Sequence, residues 1–196
     1  KRIESCETCE KHWKNFRSLS KSEIQLINKN RYEASFNPGE IIIKQGTPAS
    51  YVLFLASGIA KSYIEGTGGR NFIMSILLPG RPIMGPGAYV DLRQTYSVAA
   101  ITAVQACFVD FDIFRNLVKV NGDFAEGLLE DISSKSLDYL MKMVSLSQKK
   151  MPGRVAEILL YFANEIFMAD EFEMILTRQE LGDMTNMVKE SVVRIL

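Results

Sequence analysis

Residues 177–196 read Thr-Arg-Gln-Glu-Leu-Gly-Asp-Met-Thr-Asn-Met-Val-Lys-Glu-Ser-Val-Val-Arg-Ile-Leu. Thr177 and Glu180 stand in the capping-box pattern, in which each side chain satisfies the other residue's backbone N–H at a helix start. The helix they open is expected to end near Thr185. Asn186 tolerates the left-handed backbone of a tight turn better than most residues do. A second helix then begins near Val188, with Met184, Val192 and Ile195 as the core between the two. Helix, short turn and second helix make a helix-turn-helix outline.

Working upstream, residues 169–176 predict a loop and a short strand, and Val155, Ile158, Leu159, Phe162 and Ile166 predict the apolar face of one helix. Pro152-Gly153 is expected to break the chain as a hinge. Before it, Asp123 to Lys150 predicts one long helix. Its Leu129, Ile132, Ser136, Tyr139, Met143 and Leu146 recur at heptad spacing, which fits the seam of a parallel helix pair or a helix packed on its own β domain. Such a helix spans roughly 42 Å, longer than a domain of this size covers.

Tyr32 to Val109 has a different grammar. The apolar runs Ile41–Ile43, Tyr51–Leu55 and Phe72–Leu77 alternate with the turn clusters Asn37-Pro38-Gly39, Gln45–Pro48, Gly66–Gly69 and Pro79-Gly80. Short strands at near-regular spacing predict a compact β barrel or sandwich. A capped helix is expected over residues 18–28, where Ser20 and Glu23 form the box and Leu19 staples onto Ile24. A second short helix is expected over Asp112–Val118. The fold class is therefore α+β. Residues 1–120 form a β domain with a short N-terminal helix, 121–151 the long helix and 152–196 the helix-turn-helix unit.

Composition narrows the function. Apolar residues make up 47%, and 23 Lys+Arg balance 23 Asp+Glu, which excludes both a disordered chain and a bulk polycation. Any nucleic-acid contact must therefore be local. No apolar run approaches a membrane span, and the opening Lys-Arg-Ile-Glu-Ser has no signal core, so no membrane partner and a cytoplasmic location are expected. With no initiator Met and an apolar end, the sequence reads as missing both natural termini. Three cysteines do not make a disulfide scaffold. One histidine, His12, has no catalytic motif around it, and Gly66, Gly68 and Gly69 precede no Gly-Lys-Ser/Thr. The chain is not expected to be an enzyme.

The order of parts resembles the CRP/FNR family of bacterial transcription regulators over almost the whole chain. Phe36-x-Pro38-Gly39-Glu40-x-Ile42-x-x-x-Gly46 and Tyr51-Val52-Leu53-Phe54-Leu55-x-x-Gly58 are similar to the opening of that family's β-roll. Leu176–Gly182, followed by Lys189-Glu190-Ser191-Val192-x-Arg194-Ile195-Leu196, is similar to its DNA-reading signature. The resemblance implies an N-terminal jelly-roll-like β-roll, a long dimerisation helix and a winged helix-turn-helix, with the wing absent from this chain. It also implies a homodimer on palindromic double-stranded DNA, in contact with RNA polymerase. Thr177, Arg178, Gln179, Lys189, Glu190, Ser191, Val193 and Arg194 would face the DNA. Across residues 176–196, Arg178, Lys189 and Arg194 only balance Glu180, Asp183 and Glu190. The alternative from another class is a ligand-binding signalling module without DNA affinity.

The effector pocket implied by the resemblance comprises Gly85, Pro86, Gly87, Tyr96 and Ser97. Cyclic-nucleotide binders of the family place Glu and Arg where this chain has Pro86 and Tyr96. A buried phosphate without its cation is heavily penalised, and Arg93 would reach the site only after remodelling of the loop. Cyclic AMP is therefore not expected as the effector. Cys6-x-x-Cys9 and Cys107 resemble part of the iron–sulfur set of the FNR branch. Lys14 and Asn15 stand where a further cysteine belongs, and His12 is a candidate fourth ligand to iron or zinc. The open alternatives for the signal are an iron–sulfur cluster or other metal, thiol-based redox sensing, an unidentified ligand, or no effector.

Overall fold

The computed structural model describes Cys6 and residues 13–196. Eight strands form two four-stranded sheets: β1 (Arg31–Phe36), β2 (Ile41–Ile43), β3 (Tyr51–Ser57), β4 (Ala60–Glu65), β5 (Asn71–Leu77), β6 (Pro82–Ile83), β7 (Ser97–Ala100) and β8 (Val104–Asp110). One sheet has the order β1-β8-β3-β6 and the other β2-β7-β4-β5. In the first, β8 runs antiparallel to both β1 and β3, with Ala34 opposite Ala106 and Leu53 opposite Phe108. Central position explains the near-continuous burial of β3 and β8, whose sequences do not alternate polar with apolar. All four expected turn clusters fall between strands.

The described residues also form seven α-helices, α1 (Lys21–Lys29), α2 (Gly87–Val90), α3 (Phe111–Val120), α4 (Gly122–Gln148), α5 (Met151–Tyr161), α6 (Arg178–Thr185) and α7 (Lys189–Ile195), and α5 continues into a π-helical turn over Phe162–Phe167. The Ser20–Glu23 box forms as read, with Ser20 N donating to Glu23 Oε2 at 2.7 Å and Glu23 N to Ser20 Oγ at 3.3 Å. Two expectations need correction. Pro152-Gly153 does not separate two elements; it lies in the first turn of α5, where a proline's missing N–H costs nothing. Residues 169–176 form no strand, because the described residues around them offer no partner for a ladder.

The chain divides into two compact units, and one of the boundaries between them falls inside α4, between Ser134 and Lys135. The first holds most of the β-roll with α1, α3 and the start of α4. Its core is aromatic: the Trp13 and Phe124 rings lie 5.1 Å apart, and Phe114 and Phe124 5.2 Å apart, with all three fully buried. Burying the indole would strand its N–H, so Trp13 Nε1 donates to the buried Asp131 carboxylate at 2.5 Å. The second unit holds Tyr63–Ser75, the rest of α4 and everything after it. Val155, Ile158, Phe162, Leu181, Met184 and Val192 are buried in it.

Candidate nucleic-acid interface and sensor site

The helix-turn-helix pair is built almost entirely by local rules. Thr177 N donates to Glu180 Oε2 at 2.7 Å, and Glu180 N returns a bond to Thr177 Oγ1 at 3.2 Å. Asn186 ends α6 with φ 55°. Met187 N donates to Gly182 O at 2.9 Å, which closes the turn. A β-carbon at Gly182 would lie 2.6 Å from the Met187 carbonyl oxygen, so the close approach demands glycine. Arg154 Nη1 on α5 donates to Thr185 O at 3.3 Å and holds the end of α6.

Packing then sorts the side chains. Leu181, Met184 and Val192 are buried and Ile195 is half-buried, so that face is the core. Thr177, Arg178, Gln179, Lys189, Glu190, Val193 and Arg194 are exposed, and Ser191 is half-buried. The structure thus brings the expected residues onto the outside of one small unit. Their charges balance: Glu180 is engaged in the cap, Asp183 accepts from the Gln179 amide at 2.9 Å and Glu190 is exposed, while Arg178, Lys189 and Arg194 form no ion pair among the described residues.

In the β-roll, Gly85 to Ser97 shows what each expected pocket residue does. Pro86 precedes α2 and supplies no side-chain cap; Gly87 opens α2. Gly85 and Gly87 are buried close to Thr95, where a β-carbon would collide with its side chain. Tyr96 is buried, and Ser97 Oγ accepts from Gln45 N at 2.9 Å, so that hydroxyl serves the strand framework. Arg93, the one cation of this segment, donates from Nη1 to Gly46 O at 2.8 Å and braces the preceding turn. Two buried atoms, Gln94 Oε1 and Thr95 Oγ1, have no partner. Sequence reasoning missed both, because nothing in residue type separates an orphaned amide from a satisfied one.

Residues 33–121 match the family model of the cyclic nucleotide-binding domain. Electron transport regulator A of Shewanella oneidensis is 26% identical over 184 residues, covering 91% of this chain and 73% of that protein. The cAMP-activated global transcriptional regulator CRP of Salmonella typhimurium is 27% identical over 159 residues, covering 79% of this chain and 76% of that one. Residues 33–121 thus resemble a cyclic nucleotide-binding domain, and most of the chain is similar to regulators of the CRP/FNR type. The same fold occurs in the c-di-GMP responsive global regulator CLP of Xanthomonas campestris, with a TM-score of 0.78, 14% identity and 90% of each chain covered. The names of the last two proteins refer to two different signals on one fold.

The expected cysteine set and the expected helix seam are placed as follows. Cys9 and His12 lie outside the described residues. Cys6 and Cys107 are buried in one apolar cluster with Trp13 and Phe54. Asn28 Oδ1 accepts from Cys6 N at 2.9 Å and from Arg31 Nε at 3.2 Å, while Arg31 Nη1 reaches Glu33 Oε1 at 2.5 Å and Cys107 Sγ at 3.6 Å. Burial works against the Arg31 charge, but hydrogen bonds to Glu33 and then Cys107 outweigh it and raise its pKa. Among the described residues, no three His, Cys, Asp or Glu side chains are placed to hold a metal. The expected seam is divided by the fold. Leu129, Ile132, Ser136 and Met143 are exposed on α4, whereas Tyr139 and Leu146 are half-buried and line a cleft of about 490 Å3 with Lys142, Glu157 and Tyr161.

Proposed function

We propose that this chain is a homodimeric, sequence-specific DNA-binding transcription regulator of the cytoplasm, working with RNA polymerase. The observation that carries the reading is the sorting of α6 and α7 into a buried apolar face and an exposed face whose three cations form no ion pair among the described residues. A recognition helix presents the side chains of its first turns to base edges in the major groove. Arg194 has the planar fork that grips guanine O6 and N7, and Glu190 can accept from a cytosine amino group. Val193 is placed to touch a thymine methyl, and Lys189 serves guanine or phosphate. Ser191, Thr177, Arg178 and Gln179 suit the backbone.

Two-fold symmetry calls for a palindrome with half-sites about one helical turn apart. Selection from a randomised duplex pool tests this. The parent protein should enrich a palindrome with guanine in each half-site. Arg194→Ala should lose roughly 1–3 kcal/mol per half-site and relax the guanine preference, while Ser191→Ala weakens binding to all sequences alike. Equal enrichment by Arg194→Ala and the parent would sink the assignment.

The signal acts on the β-roll and is not cyclic AMP. The segment from Gly85 to Ser97 has no acidic residue at Pro86 to hold a ribose hydroxyl, and its single cation is turned onto Gly46 O. A cyclic phosphate would be buried there without a counter-charge, at a large desolvation cost. Titration calorimetry with cyclic AMP should give no heat of binding; a micromolar isotherm would overturn this part.

A further inference from the structure

We propose that the turn joining β4 to β5 belongs to the DNA interface, with Arg70 contacting a backbone phosphate at the flank of each half-site. The proposal rests on the DNA-reading function above and adds an element far from the helix-turn-helix in sequence. The turn is tight. Gly66 N donates to Arg70 O at 2.9 Å, and Gly68 and Gly69 take φ of 70° and 73°, values that glycine adopts without steric cost. Every residue from Gly66 to Asn71 is exposed.

Placement points the turn at nucleic acid. Tyr63–Ser75 is part of the same compact unit as α6 and α7. Arg70 and Asn71 share the lining of a groove of about 270 Å3 with Gln179 and Asp183 of α6, the turn between the helices, and Lys189 and Glu190 at the start of α7. A backbone running past the start of α7 would therefore meet the Arg70 side chain as well.

Charge supplies the independent reason. Segment 176–196 carries as many acids as bases, so it is a poor polyanion surface by itself. DNA affinity at physiological salt comes largely from cations on phosphates. Arg70 forms no ion pair among the described residues and adds a fourth free cation to Arg178, Lys189 and Arg194. A guanidinium fork also suits phosphate oxygens better than an ammonium does. Because phosphates carry no base identity, the contact should raise affinity for every sequence without changing the site chosen.

The test is a fluorescence-anisotropy titration of the intact protein on its selected duplex over a range of salt concentrations. Arg70→Ala should weaken binding and lower the log–log salt slope by about 0.9 per lost phosphate contact, hence about 1.8 for a two-fold dimer. The selected sequence should stay the same, and Arg70→Lys should keep most of the slope. Unchanged affinity and slope in Arg70→Ala would remove the turn from the interface and leave the DNA-reading function standing. Tighter binding by Arg70→Ala would also overturn the proposal, showing that the turn shields the helices instead. No duplex bound by the parent protein would overturn the DNA-reading function and this contact with it.

Discussion

A single charge at Met143 should turn the protein into a monomer. Helix α4 runs for 27 residues, roughly 40 Å at 1.5 Å per residue. Along it Leu129, Ile132, Leu137, Leu140, Met143 and Val144 are each at least 44% exposed. Soluble surfaces carry scattered apolar side chains, but a stripe of this length on one helix marks an interface. Leu129, Ser136, Leu140 and Met143 repeat with the heptad spacing of a parallel pair, with Leu137 and Val144 flanking. Asp at 143 would set two carboxylates against each other in a layer from which water is excluded, and desolvating each costs several kcal/mol. Light scattering should give half the parent's mass for Met143→Asp, and the parent mass for Met143→Leu. A monomeric parent protein would defeat the proposal.

The register of that seam shows where sequence reading stops. A 3-4 repeat along α4 can be started on more than one face, and Ser136 lies in either version. Tyr139 and Leu146 fit the repeat, yet the fold turns both into the cleft with Lys142, and Leu140 occupies the outer face instead. Apolar periodicity counts side chains that leave water; it does not say which neighbour covers them. Tyr63–Ser75, far away in sequence, belongs to the unit that claims part of the helix.

Local chemistry, by contrast, was legible. Both capping boxes, the four turn clusters and the left-handed Asn186 were readable because each rule involves residues within one turn of each other. The expected strand at 169–176 failed for the complementary reason: β-branched and aromatic residues are necessary for a strand, but a ladder needs a partner that local sequence does not specify. For the site, the expectation for Pro86 and Tyr96 rested on the family resemblance and not on a local rule. Neither could foresee that Arg93 is held by Gly46 O, or that Arg70 shares a groove with Lys189 and Glu190. Those are long-range placements, made by the β-roll and not by the motif.

Raising the pH from 8 to about 10 should stabilise the parent protein relative to Lys142→Met. Lys142 lies on the part of α4 that belongs to the second unit, where its Nζ donates to Ile73 O at 2.7 Å and to Met74 O at 2.9 Å and lies 5.0 Å from the centre of the Phe72 ring. Burial pushes its pKa down from 10.5 to about 8, and the Glu157 carboxylate restores only part of that loss. The unfolded chain therefore keeps this proton up to about pH 10.5, while the folded protein releases it near 8. Between those values the unfolded state binds more protons, so stability rises with pH. A shift of this size is worth about 3 kcal/mol at 1.36 kcal/mol per unit, most of it gained by pH 10. Tyr139, on the same helix, limits the window. Burial raises its pKa above the usual 10, so above that pH the unfolded state ionises first and stability falls again. Glu157, bonded to Lys149 at 2.7 Å and to Ser145, has a lowered pKa and stays ionised throughout. Lys142→Met removes the titrating group and leaves two carbonyls without their donor, a penalty that does not vary with pH. Urea unfolding at intervals from pH 7 to 10 should therefore show the gap between the two proteins widening in the parent's favour above pH 8. Parallel profiles would mean that the Lys142 ammonium is hydrated and that the contact with β5 carries no buried charge.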